Sequence, residues 1–138
     1  MRLKRHFSGQ DLVEYALILP IMLIMIMGIF DLGRITFFYS TIVNISREGA
    51  RFGVVHQCDD SGVKAAAKDK AIGIDINDDD IAITWVPSDC GYPDPPGSGT
   101  VTVSVLFDFT PMTPFIADIL GGGSTITLDG TTTMYLEL

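Results

Sequence analysis

A chain of 138 residues has room for one domain of modest core, less whatever a membrane takes. Its formal charge of −8 is unevenly spread: six of the nine Lys and Arg residues lie at or before Arg51, and thirteen of the seventeen Asp and Glu residues lie after it. So acidic a distal part excludes nucleic acid as a partner, because phosphate binding needs clustered Lys and Arg.

Residues 1–9 form a leader that carries Arg2, Lys4 and Arg5, with no acid before Asp11. From Leu12 to Phe30 only Glu14 is charged, ~19 residues against the ~20 that cross a hydrocarbon core. This predicts a transmembrane helix. Basic residues before it and acidic ones after it predict a single pass in the cytoplasmic membrane with the C-terminal portion outside. A cleaved secretory signal would end its apolar run in a small-residue site. Asp31-Leu32-Gly33-Arg34 is a poor one, so the span is expected to be retained. Pro20 removes a backbone donor and should bend or loosen the helix. Glu14 is the anomaly. A carboxylate near the mouth of a span signals function by default; the plainer reading lets it reach headgroups and water at the interface.

The helix is expected to continue beyond the membrane. Asp31 and Arg34 sit three apart and can pair at the interface. Ile35, Phe38, Ile42, Ile45, Gly49 and Phe52 recur at spacings of three and four, an amphipathic stripe. One helix from about Gln10 to Val55 would be ~70 Å long. The alanine- and lysine-rich run between Gly62 and Ile74 predicts a second helix, with Val63, Ala67, Ile72 and Ile74 as a partial apolar face. Ile81, Ile83 and Trp85 alternate as a strand, and Val101 to Phe109 alternate more cleanly. Thr125 to Leu138 reads as a third strand, with Gly130 as a bulge or turn. The expected fold is α+β: a long N-terminal helix, transmembrane over 12–30 and amphipathic over 31–56, packed by a small antiparallel sheet in a head spanning 57–138.

Cys58 and Cys90 both fall in the part expected outside. In an oxidising compartment an even pair reads most simply as one disulfide; two reduced thiols are the other reading. Closing that loop would stabilise by roughly 3–4 kcal/mol in the chain-entropy model. Asp75, Asn77 and Asp79 alternate as oxygen ligands do in calcium loops. However, Asp80 stands where an EF-hand needs glycine and Val86 where it needs glutamate, so a solvated turn is the expectation. His6 and His56 have no recognisable nucleophile partner, and no phosphate loop or nucleophile elbow is present. No catalytic residue, metal site or cofactor is expected.

Gly9 followed five positions later by Glu14, after a short basic leader, resembles the class III signal of type IV pilin-like proteins. Val13-Glu14-Tyr15-Ala16-Leu17, Leu19-Pro20, Gly28-Ile29-Phe30-Asp31-Leu32-Gly33-Arg34 and Ser46-Arg47-Glu48-Gly49-Ala50-Arg51-Phe52 are similar, block by block, to TadE-like minor pilins of tight-adherence systems. So is Phe109-Thr110-Pro111-Met112-Thr113-Pro114 with Gly121-Gly122-Gly123 after it. The resemblance implies that a membrane prepilin peptidase cuts after Gly9 and leaves Gln10 as the mature N-terminus. It makes Glu14, with Tyr15 beside it, the assembly element, whose carboxylate meets the freed amine of a neighbouring subunit. Its implied partners are the membrane, the peptidase, other pilin subunits and the pilus assembly platform. The implied function is a structural subunit of a type IVc-like pilus for surface attachment. Two other readings stand beside it: an uncleaved, membrane-anchored binding module, and the main filament subunit.

Overall fold

A computed structural model of the protein describes residues 9–88, 99–113 and 124–136. The basic leader before Gly9, the proline- and glycine-rich loop with Cys90, and the apolar stretch 115–120 with Gly121–Gly123 lie outside the described residues. The elements in chain order are α1 (Gln10–Val55), α2 (Asp60–Lys68), β1 (Ile81–Val86), β2 (Thr100–Phe109) and β3 (Ile126–Tyr135). The strands make one antiparallel sheet in the order β1-β2-β3. The fold is α+β, as the sequence pattern predicts, and pilin-like, as the resemblance implies.

The 46 residues of α1 run without interruption through Pro20. Its first half is apolar enough to cross a membrane by length and composition. Its second half carries the predicted stripe, and the structure buries Ile42, Ile45, Gly49 and Ala50 against the head. Val101, Val103 and Val105 of β2, fully buried, form the centre of the facing sheet. Val63 and Ala67 of α2 close the core from the side. Each strand presents alternate residues inward, so the outer face of the sheet is left to hydroxyls. There Thr102 meets Thr133 at 2.8 Å and Ser104 meets Thr131 at 2.9 Å.

Two expectations are corrected. The second helix ends at Lys68 rather than near Ile74. Beyond Asp69 the chain turns, Gly73 takes a positive φ of 77°, and Ile72 is 71% exposed rather than part of an apolar face. Gly130 is no bulge: it pairs in register with Val105 in the middle of β3. An added Cβ there would lie 2.6 Å from Ile42 Cγ2 and 3.1 Å from the Ile42 carbonyl carbon. Glycine is needed because the strand crosses the helix backbone at that point. Trp85 is only half-buried; it packs on the core while its Nε1 donates to Asp60 at 2.7 Å.

The start of α2 is fixed by Asp59, which accepts the Gly62 N–H at 2.9 Å and the Ser61 hydroxyl at 2.8 Å. Those bonds, the Gly62 amide first, hold the Asp59 carboxyl below the usual carboxylate range. A depressed folded-state value means that the cap stabilises fully above the ordinary aspartate value of about 3.9 and is lost as pH falls through the lower folded value. Thermal unfolding of Asp59→Ala should therefore fall short of the parent at neutral pH. The gap should close as pH drops below about 4; a gap constant with pH would show that the carboxylate contributes nothing through its charge. Gly130→Val should lower head stability by about 2–3 kcal/mol through overpacking against Ile42, read as the melting of Trp85 fluorescence in detergent.

Candidate membrane and assembly site

Gly9 sits immediately before α1 with φ −61° and ψ −2°, a conformation open to any L-residue. Nothing lies within 4 Å of a Cβ built there. Within the described residues, then, the fold makes no demand for glycine at this position. Gln10 is the first helical residue, and the Val13 amide reaches back to the Gly9 carbonyl at 3.3 Å. Glu14 and Tyr15 lie on the following turn, both exposed. Among the described residues Glu14 has no hydrogen-bond or ion-pair partner.

From Leu12 to Phe30 every residue except Gly28 is exposed, and Gly28 is half-buried. An uncovered band of this size is not a surface that water tolerates; contiguous apolar patches much smaller than this already mark interaction sites. The first buried residue after it is Asp31.

Asp31 is the residue whose setting the sequence pattern missed. Its side chain is fully buried. The carboxylate accepts the Met112 N–H at 3.1 Å and the Thr113 N–H at 2.8 Å, both from the turn that follows β2. Arg34 Nη1 lies 3.3 Å from Asp31 Oδ1, so the expected pair is formed, but it is the smaller part of the arrangement. The guanidinium also stacks over two rings, 5.0 Å from the Phe109 centroid and 5.6 Å from that of Phe38. Desolvating a lone carboxylate costs several kcal/mol. Two backbone donors and one cation offset that cost, and in return they fix the end of β2 against α1. Spacing within α1 shows only the Arg34 partner. The backbone donors lie eighty-one and eighty-two positions away, a distance over which no local pattern operates.

The other candidate positions are placed as follows. Cys58 lies just after α1, half-buried, with a φ of 60°; Cys90 is outside the described residues. In the acidic loop Asp80 accepts the Asn77 N–H at 2.8 Å, and Asp78 pairs with Lys68. Among the described residues no three His, Cys, Asp or Glu side chains are arranged to hold a metal ion.

Residues 9–51 match the family model described as TadE-like protein. Over those residues the chain is similar to TadE-like proteins. The match takes in Gly9, Glu14, Tyr15, Asp31 and Arg34, and it supports a protein associated with the tight-adherence pilus. It covers about a third of the chain and does not reach the distal Phe109–Pro114 block. No curated protein and no solved structure matches the chain. The uncovered apolar band and the TadE-like match together support membrane association through the N-terminal helix.

Removing the Asp31 carboxylate leaves the Met112 and Thr113 amides without this acceptor. Asp31→Ala should lower head stability by about 2 kcal/mol or more. Amide exchange at Met112 and Thr113 should accelerate, and Asp31→Asn, which keeps one acceptor oxygen, should recover part of the loss. Unchanged exchange at both amides would show that the turn is held by something else.

Proposed function

We propose that the chain is a minor pilin or pseudopilin of the TadE-like kind, a structural subunit that joins or primes a tight-adherence pilus. A prepilin peptidase removes residues 1–9, leaving Gln10 as the new N-terminus. The segment 12–30 holds the subunit in the cytoplasmic membrane with the head outside, where a Cys58–Cys90 disulfide forms. The pilus platform then draws the helix out among those of other subunits.

The observation that carries this reading is the state of the N-terminal helix. Its apolar band is uncovered, a carboxylate stands exposed near its start, and among the described residues nothing calls for glycine at position 9. A glycine with no conformational or packing duty among the described residues fits a residue selected by a peptidase. An ionised Glu14 inside a low-dielectric bundle needs an opposite charge, and the amine freed on Gln10 of a neighbouring subunit supplies it. The acidic head would then remain as the exposed surface.

The deciding experiment reads the N-terminus of the membrane-fraction protein by intact mass and peptide mapping, in cells that have the peptidase and platform. The expected start is Gln10, reverting to Met1 when Gly9 is replaced by a bulky residue. Glu14→Ala should be processed and inserted normally yet fail to enter pili. A parent chain that keeps Met1, with a Glu14→Ala variant indistinguishable from it, would favour an uncleaved, membrane-anchored binding module.

A further inference from the structure

The turn Thr110–Thr113, tied to Asp31, has a feature that packing of the head does not explain. Met112 is 68% exposed, an unbranched apolar side chain held outward by a well-fixed backbone. Its height along α1 is set by the hydrogen bonds. Asp31 directly follows Phe30, the last residue of the apolar band, and helical side chains lean toward the N-terminus of their own helix. The carboxylate therefore lies over the preceding turn, and it holds the Met112 and Thr113 amides at that level.

We infer that this turn is a foot by which the head rests on the lipid surface, with Met112 entering the boundary between headgroups and acyl chains. The inference rests on the reading of 12–30 as a membrane span. Three observations favour lipid as the occupant. The foot is continuous with the exposed apolar band, because Phe30 and Leu32 flank Asp31 and are 68% and 57% exposed. The turn, from Thr110 to Thr113, has no charged residue. From Pro111 to Thr113 the backbone donors are accounted for: Pro111 has none, and those of Met112 and Thr113 go to Asp31. A backbone donor that already has an acceptor costs little to move out of water. Arg34, its side chain 38% exposed beside the buried carboxylate, stands at the same level. There a guanidinium can reach lipid phosphate while its stem stays on the Phe38 and Phe109 rings. Tying Met112 to Asp31 would thus fix the tilt of the head on the membrane before assembly.

The test uses the full chain in phosphatidylcholine vesicles whose acyl chains are brominated near the headgroup, where bromine quenches nearby indole fluorescence. The native Trp85 serves as the internal reference. It packs beside Gly53, twenty-two residues beyond Asp31 along α1, or about 33 Å farther from the span. Its emission should be insensitive to bromine, and an unchanged Trp85 signal in each variant reports an intact head. Leu23→Trp, in mid-span, reports the membrane reading itself. Met112→Trp should add emission that brominated lipid largely removes and that aqueous acrylamide barely touches. Adding Asp31→Ala to Met112→Trp should restore acrylamide access. Quenching of Leu23→Trp by bromine without quenching of Met112→Trp would overturn the foot and leave the span intact. Failure of both would remove the span and the foot together. Protection of Met112→Trp from acrylamide without bromine quenching would assign the surface to another protein and also overturn the proposal.

Discussion

One helix has to satisfy two environments in succession, and the position of the change between them constrains the rest of the chain. From Leu12 to Phe30 the side chains of α1 are exposed among the described residues; from Thr41 onward the stripe side of the helix is buried. Apolar surface left in water costs roughly 25 cal/mol per Å², so neither half is stable in the other's surroundings. The head must therefore start its packing above the band and cannot extend down it. A sheet of three strands suffices, since the length to be covered runs only from about Phe38 to Val54.

Apolar contact alone would set that cover loosely along the helix axis, because burial is non-directional. Directional and steric features fix it. Asp31 takes two backbone amides from the end of β2. Ile42 fills the space that Gly130 leaves open. Ser46, fully buried, meets the Thr132 hydroxyl at 2.8 Å while bonding the Val43 carbonyl at 3.0 Å. These points span about 22 Å of α1 at 1.5 Å per residue. Sliding the sheet by one residue would leave the Asp31 carboxylate buried without donors and drive a Cβ into the helix. Each of those penalties exceeds what a slightly different apolar contact could return.

What could be read in the sequence follows from the range over which each signal acts. The stripe Ile42, Ile45, Gly49 and the alternation Val101, Val103, Val105 are local periodicities, and both elements form where the pattern puts them. The end of α2 was missed because Ile72 and Ile74 continue an apolar pattern that the chain abandons at the turn after Lys68; Ile72 faces solvent and only Ile74 packs on the core. Gly130 carries a local meaning, a break in a strand, and a tertiary one, a close crossing; only the second applies. Asp31 was visible as half of a pair with Arg34. Its larger role depends on amides of Met112 and Thr113, and backbone amides leave no mark in a sequence. At Glu14 and Gly9 the opposite holds. There the residue types stand out in the sequence while no contact among the described residues accounts for them.

That contrast bears on how the chain divides its work. The TadE-like match ends at Arg51, yet α1 continues to Val55 and its stripe is buried by residues beyond the match. The matched segment thus contains the residues that need a cover, Ile42, Ile45, Ser46, Gly49 and Ala50, and not the ones that supply it. A stripe of apolar and small side chains can be covered by many sheets of suitable height, provided that each offers an inner apolar face and room for the helix. The membrane band, the charge at its mouth and the carboxylate at its exit have no such freedom, because hydrocarbon thickness and charge burial set their positions. The helix is therefore the part that physics constrains most tightly, and a head of different sequence could be carried on it provided that it too supplies donors to the Asp31 carboxylate.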